Sequence, residues 1–236
     1  MRLLRLGGVL PFAAVALPAL AFVGTGHVLF GSASYELPGH DSNRAVRLVA
    51  DVAGGNPFSG IDFGVSAGLT VNDLNSLSTD TFFPAGSSCK DGSPRFQIKV
   101  DHDGDSGTPS RNIFVYIGPP PNYTGCPAGA WDNTGNLIEA ADLVDATQLG
   151  GAFYEPWATA QANFGALGVT GIQLVADEFS GPQTVIVDNT DINGTVHDYE
   201  FDNKDDCKKD GWMNFVFEPG PFKNQGQCVS YFAKQQ

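Results

Sequence analysis

The run Asp101-His102-Asp103-Gly104-Asp105 is the part of this chain best suited to cation chemistry. Asp101, Asp103 and Asp105 stand at alternate positions and can converge on one hard cation, with Gly104 permitting a sharp turn. Calcium-binding loops begin in this way. The spacing is not that of an EF-hand, which needs glycine at its sixth position and glutamate at its twelfth. Counted from Asp101, glycine falls fourth and the twelfth residue is Asn112. The alternative is an acidic, solvated turn between a strand ending at Val100 and one starting at Arg111.

Hydrolytic signatures are absent: the chain has neither a G-x-S-x-G elbow nor an H-E-x-x-H helix. Glu36, Glu139, Glu155, Glu178, Glu200 and Glu218 are scattered, and nothing in their spacing pairs two of them across a cleft as glycoside hydrolysis requires. Histidine offers one redox alternative. If processing occurred after Gly26, the amine and imidazole of His27, joined by His102 or His197, could hold copper. That ligand set is similar to the one used by lytic polysaccharide monooxygenases, which are secreted β-sandwiches of about this size. The chain lacks the surroundings those enzymes show around their second histidine.

Aromatic residues supply a binding hypothesis. Tyr123 and Trp131 lie on a long connection from Gly118 to Leu137, with the amides of Asn122 and Asn133 beside them. Flat rings suit the C–H faces of sugars, and amides supply hydrogen bonds. Tyr154 and Trp157 lie in or beside loop-like sequence as well, but the helical spacing around Trp157 points it inward. A polysaccharide or cell-surface glycan is the partner this pattern suggests.

These residues need a scaffold, and its pattern is that of strands. Val46, Leu48, Ala50 and Val52 share one face, as do Ile61, Phe63 and Val65; Phe96, Ile98 and Val100 alternate with Arg95, Gln97 and Lys99. Such alternation marks half-buried strands. Ile113 to Ile117 is apolar throughout and reads as a central strand. Gly171–Ala176, Thr184–Val187 and Val196–Phe201 add three more, and Asn193-Gly194 fits a tight hairpin between the last two. One helix is expected from Trp157, Ala160, Phe164 and Leu167, opening near Pro156 and stopped by Gly168. Leu69–Leu77 holds a second, shorter helical turn. The strands and turn signals predict an all-β, antiparallel β-sandwich with one short helix. The run Thr184-Val-Ile-Val-Asp-Asn189, followed by Ile192-Asn-Gly-Thr195 and Tyr199-Glu-Phe201, resembles the closing strands of jelly-roll carbohydrate-binding modules, which implies a jelly roll and a glycan ligand.

Arg2, Arg5 and the apolar run Leu10–Val23 read as a signal peptide over residues 1–33, cleaved after Ala21 or near Ala33. The run is short for a membrane span, and no later stretch is long and apolar enough for one. The sandwich is expected over 34–202 and a stapled tail over 203–236. A net charge of −13 leaves no basic footprint for nucleic acid. Four cysteines in an exported chain favour two disulfides; of three possible pairings, sequence order suggests Cys89–Cys126 and Cys207–Cys228. No pair has the short spacing of a zinc site.

The tail carries Cys207-Lys-Lys209, Gly211-Trp212 and then Phe222-Lys-Asn-Gln-Gly226 with Cys228-Val229. It resembles a module that closes many secreted bacterial proteins of unknown function, which implies secretion and attaches no reaction. Gly92-Ser-Pro-Arg-Phe96 and Phe114-Val-Tyr-Ile-Gly-Pro119 resemble runs in uncharacterised secreted bacterial domains. A secreted, non-catalytic glycan-binding protein is the reading these features favour. A copper-dependent oxidase, another glycan-active enzyme and a structural matrix protein are the alternatives.

Overall fold

The computed structural model describes residues 26–234, apart from Ser106, 119–122, Thr124 and 179–180. Residues 1–25 of the expected signal peptide, with the expected cleavage after Ala21, lie outside the described residues. In chain order the elements are β1 (His27–Gly31), β2 (Ser34–Glu36), β3 (Ala45–Ala50), β4 (Phe58–Phe63), β5 (Leu77–Phe82), β6 (Arg95–Asp101), β7 (Arg111–Tyr116), β8 (Trp131–Asn133), β9 (Leu143–Val144) and β10 (Glu155–Pro156). Then come α1 (Trp157–Phe164), β11 (Gly168–Asp177), β12 (Gln183–Ile192), β13 (Thr195–His197) and α2 (Gln225–Ala233).

Two antiparallel sheets form the sandwich. One has the order β1-β4-β11-β6-β7; the other has β2-β3-β12-β5-β8, with β13 added to β12. From β3 to β6 successive strands alternate between the sheets, β6 and β7 form a hairpin within one sheet, and β8, β11 and β12 alternate again, with β9 and β10 pairing only with each other. The resulting orders, β4-β11-β6-β7 and β3-β12-β5-β8, are those of a jelly roll built from two Greek keys. Alternation in the sequence decides what lies between the sheets: Val46 and Leu48 of β3, Ile61 and Phe63 of β4, and Phe96, Ile98 and Val100 of β6 are all buried in one core. Arg95, Gln97 and Lys99 face outward, so one face of β6 is dry and the other wet.

Several sequence expectations are corrected. β3 ends at Ala50, and Val52 is 56% exposed, because the chain turns through a short bridge between Asp51 and Asn56. β7 is an edge strand, not a central one. Its outer residues are apolar because the segment after β8 folds over them, and Phe114 and Asp145 exchange two backbone hydrogen bonds of 2.9 and 3.0 Å that blunt the free edge. α1 stops at Gly165, not at Gly168, which opens β11. Gly165 sits against Asn72, where a Cβ would lie 2.0 Å from the amide oxygen. β13 covers only Thr195–His197; beyond it Tyr199 takes φ 54° and buries its ring, so the chain leaves the sheet. The Asn193-Gly194 hairpin forms with φ 52° and 78°, both left-handed as a tight turn requires. A 3₁₀ turn at Val71–Asp73 answers the expected second helical turn.

The disulfides are Cys89–Cys126 and Cys207–Cys228. Cys207, Phe215, Phe222, Cys228 and Phe232 form a second hydrophobic cluster, with Trp212 packed partly against it. A second helix was not expected there. α2 begins at Asn224, whose side chain accepts a hydrogen bond from the Gln227 amide at 2.9 Å, an N-cap legible in Asn-x-x-Gln. Cutting the chain near Ala33 would remove β1, which pairs with β4 along its whole length. No helix of the described residues is long and apolar enough to cross a membrane.

Candidate functional site

The sequence-predicted binding residues divide between two places. Most of the connection from Gly118 to Leu137 is loop, but Trp131–Asn133 is strand β8, paired to β5 through Phe82↔Trp131, Thr81↔Asp132 and Asp80↔Asn133. β7 and β8 are the terminal strands of the two sheets, so this connection spans the same side of the sandwich. Cys126 pins it to Cys89, and Gly118 makes the approach possible: a Cβ there would lie 2.5 Å from the Cys89 sulfur. Asn122 lies outside the described residues.

Tyr123 joins an aromatic group on the β7 side. Its ring meets Tyr116 edge-on at 5.2 Å, and its hydroxyl shares a 2.6 Å hydrogen bond with that of Tyr154. Phe153 packs on Tyr154 at 4.4 Å and is 47% exposed. Phe114 stacks on Tyr116 at 6.4 Å, with the Arg95 guanidinium 5.1 Å above its ring. The five rings thus come from β7, the β7–β8 connection and the segment before β10. Tyr116 donates to the buried carboxylate of Asp145 at 2.9 Å; burial, then that hydrogen bond, raises its pKa. Burial and the Tyr154 hydroxyl raise that of Tyr123. Both phenols therefore stay neutral. Tyr123 and Tyr154 have φ of 49° and 89°. Left-handed backbone at bulky residues costs about 1–3 kcal/mol each and persists only where surrounding contacts enforce it.

Trp131 belongs to a different constellation, on the β8 side. Its indole stacks on the His40 imidazole at 5.1 Å and 13°, and meets Phe82 at 5.6 Å. Beneath them Asp188, Asp80 and Asn133 lie in one row across β12, β5 and β8. Asp80 accepts from His40 Nδ1 at 2.8 Å, Asn189 Nδ2 at 2.8 Å and Asn133 Nδ2 at 2.6 Å. Burial alone would raise its pKa, but these three side-chain hydrogen bonds outweigh burial and hold it below the usual carboxylate value. Asp188 is fully buried and accepts from Ser42 Oγ at 2.5 Å and from the amides of His40 and Asn189, both at 2.8 Å. Burial raises its pKa to about 6, with the Asp80 charge adding to the rise. β12 bulges after Asp188, and Asn189 (φ 44°) turns its amide onto Asp80.

The loop before β3 supplies His40 and Ser42 and comes close at Gly39, where a Cβ would lie 2.3 Å from Asp188 Oδ2. That loop also holds the tail: Asn43 donates to Glu200 and to the Glu218 carbonyl and accepts from the Phe217 amide. Sequence reasoning missed His40, Asp80, Asp188 and Asn189. The only available signal was the Val-Asp-Asn run, read as strand pattern and not as a pair of hydrogen-bonding polar side chains.

Asp101, Asp103 and Asp105 each turn one oxygen onto the local backbone: Asp101 Oδ1 accepts from the Gly104 amide at 2.8 Å, Asp103 Oδ1 from Asp105 at 3.0 Å, and Asp105 Oδ1 from Gly107 at 2.9 Å. The Asp105 amide is the main cause of the lowered Asp103 pKa. Among the described residues no three His, Cys, Asp or Glu side chains group as metal ligands. His102 lies 3.7 Å from Asp103. His27 instead meets His197, with ring centroids 6.4 Å apart. Burial lowers the pKa of both.

No family model, curated protein or solved structure matches this chain.

Proposed function

We propose that this is a secreted, non-catalytic binding protein for a polysaccharide or cell-surface glycan. One observation carries the reading: five rings from three separate segments gather at the β7 edge, with Phe153 open to solvent and two of the tyrosines held in a left-handed backbone. A strained, pre-set aromatic surface loses little entropy when a ligand stacks on it. The buried carboxylates argue against hydrolysis as the role of the β8 edge. Asp188 is fully covered and Asp80 is occupied by three donors, so neither presents a free oxygen to a substrate. A glycan array with soluble polysaccharides tests the proposal. Phe153→Ala is expected to weaken binding by about 1–3 kcal/mol, the scale of stacking and burying a large ring, with an unchanged melt. A blank array would leave a structural matrix protein as the reading.

A copper-dependent oxidase has one observation in its favour, the approach of His27 to His197. Two neutral imidazoles and a terminal amine would make a three-nitrogen set. N-terminal sequencing of the secreted protein decides this reading, because any first residue other than His27 removes the amine from it.

A further inference from the structure

We propose that the stacked pair Trp131–His40 is a second glycan subsite, which reads neighbouring hydroxyl groups through one donor and one acceptor. This rests on the glycan-binding reading but uses different residues from the β7 group. Among the described residues, the buried side-chain nitrogens and oxygens without a partner are Arg95 Nε, Asn112 Oδ1 and Glu155 Oε1. Trp131 Nε1 and His40 Nε2 are not among them, and neither has a partner among the described residues, so both atoms reach solvent.

Their hydrogen-bonding roles follow from Asp80. An ionised carboxylate only accepts, so the 2.8 Å contact to His40 Nδ1 requires a proton on that nitrogen. In its neutral form the ring then carries its lone pair on Nε2. Asp80 is itself fixed by Asn133 and Asn189, so the ring has both its tautomer and its orientation set by the strands below. Trp131 Nε1 can only donate. The rings lie nearly parallel with centroids 5.1 Å apart, so the stack carries a donor on one ring and an acceptor on the next. A hydroxyl both donates and accepts, and two adjacent hydroxyls on a sugar ring can satisfy both atoms at once. The ligand class is a neutral saccharide with a free vicinal diol. Asn133 accepts from the Gly135 amide and donates to Asp80, which makes it a positioning residue for this subsite.

The test uses soluble xylan, mannan and β-glucan oligosaccharides. Titration calorimetry picks the tightest binder, and long-range ¹⁵N–¹H NMR reads the His40 ring. In the wild type His40 is expected as the Nδ1–H form, with its Nε2 resonance shifting when that oligosaccharide is added. Trp131→Phe keeps a ring and removes the donor; His40→Phe keeps a ring and removes the acceptor. Each is expected to weaken binding about tenfold, the loss of one hydrogen bond. His40→Phe also takes a donor from Asp80, so the wild-type NMR result stands in if that variant does not fold. An Nε2–H form, or an unmoved Nε2 signal at saturation, overturns the subsite. Wild-type binding with both variants unaffected also overturns it and leaves the β7 surface as the binding site. If none of the three oligosaccharides binds, the glycan reading fails and takes this subsite with it.

Discussion

The β7 and β8 strands close the same side of the sandwich by opposite means. At β7 the outer face is covered by rings, and its polar atoms are phenols that bond to one another or to Asp145. At β8 the cover is a polar loop, and the atoms beneath it are two carboxylates, one held ionised and one pushed toward neutrality. The aromatic edge can lose an exposed ring cheaply, because a ring half in water gives up little burial. The polar edge cannot lose a partner cheaply, because every donor gathered on a buried carboxylate forfeits its hydrogen bond together with the others. Function that needs tolerance of varied ligands suits the first; fixed orientation suits the second.

Removing the Cys89–Cys126 bond should bear hardest on the comparison, since the bond anchors the connection that joins the two edges. A double Cys→Ala change frees a loop of 37 residues in sequence separation and is expected to cost about 4 kcal/mol on the entropy model, read by urea denaturation. If it costs nothing, the edges are held independently of that loop.

Asp80→Ala comes next, at about 3 kcal/mol, because His40, Asn133 and Asn189 all lose their acceptor. The same measurement on Phe153→Ala should show almost no change. Equal losses at the two positions would erase the distinction between a polar, interlocked edge and an aromatic, tolerant one.

A subtler effect is expected from pH. Asp188 has its folded pKa raised to about 6, so its contribution to stability is complete below about pH 4 and is lost as pH rises through 6. Asp80 has the opposite sign: its contribution is present above about pH 4 and is lost as pH falls through its lowered folded value. The pair is expected to stabilise the fold most near pH 4. Asp188→Asn should remove a decline of about 2–3 kcal/mol between pH 4 and pH 7 in denaturation curves. A decline of the same size in the variant would assign it to other groups.

Smallest is the effect of calcium on the acidic loop. Weak binding by Asp101, Asp103 and Asp105 is proposed, and a ligand that binds only the folded state raises its melting temperature. Melts in calcium and in chelator are expected to differ by about 1–2 °C, a difference that Asp103→Ala abolishes. Superimposed melts would show that the backbone amides have taken up the carboxylates in full.

Much of the scaffold was legible without coordinates. The alternation of β3, β4 and β6 names the buried face, because side chains on a strand point to opposite sides and only one side is dry. Trp157 and Ala160 at helical spacing are buried as expected. Where local pattern failed, a distant segment was the cause. The outer face of β7 is apolar because residues after β8 cover it, and Tyr123 and Trp131, eight positions apart, end in different side-chain groups because β8 begins at Trp131 and carries it into the other sheet.

The sequence by itself determined the strand faces, the Asn193-Gly194 hairpin, the cysteine order and the acidic turn, all features set by neighbours within a few positions. Only the tertiary structure decided the site. His40, Asp80, Asn133 and Asp188 come from three strands and a loop, and they meet because jelly-roll winding lays β12, β5 and β8 side by side. Hydrogen-bond partners separated by 40 or 148 positions leave no periodic trace in a single chain, since what selects them is the cost of burying a carboxylate alone.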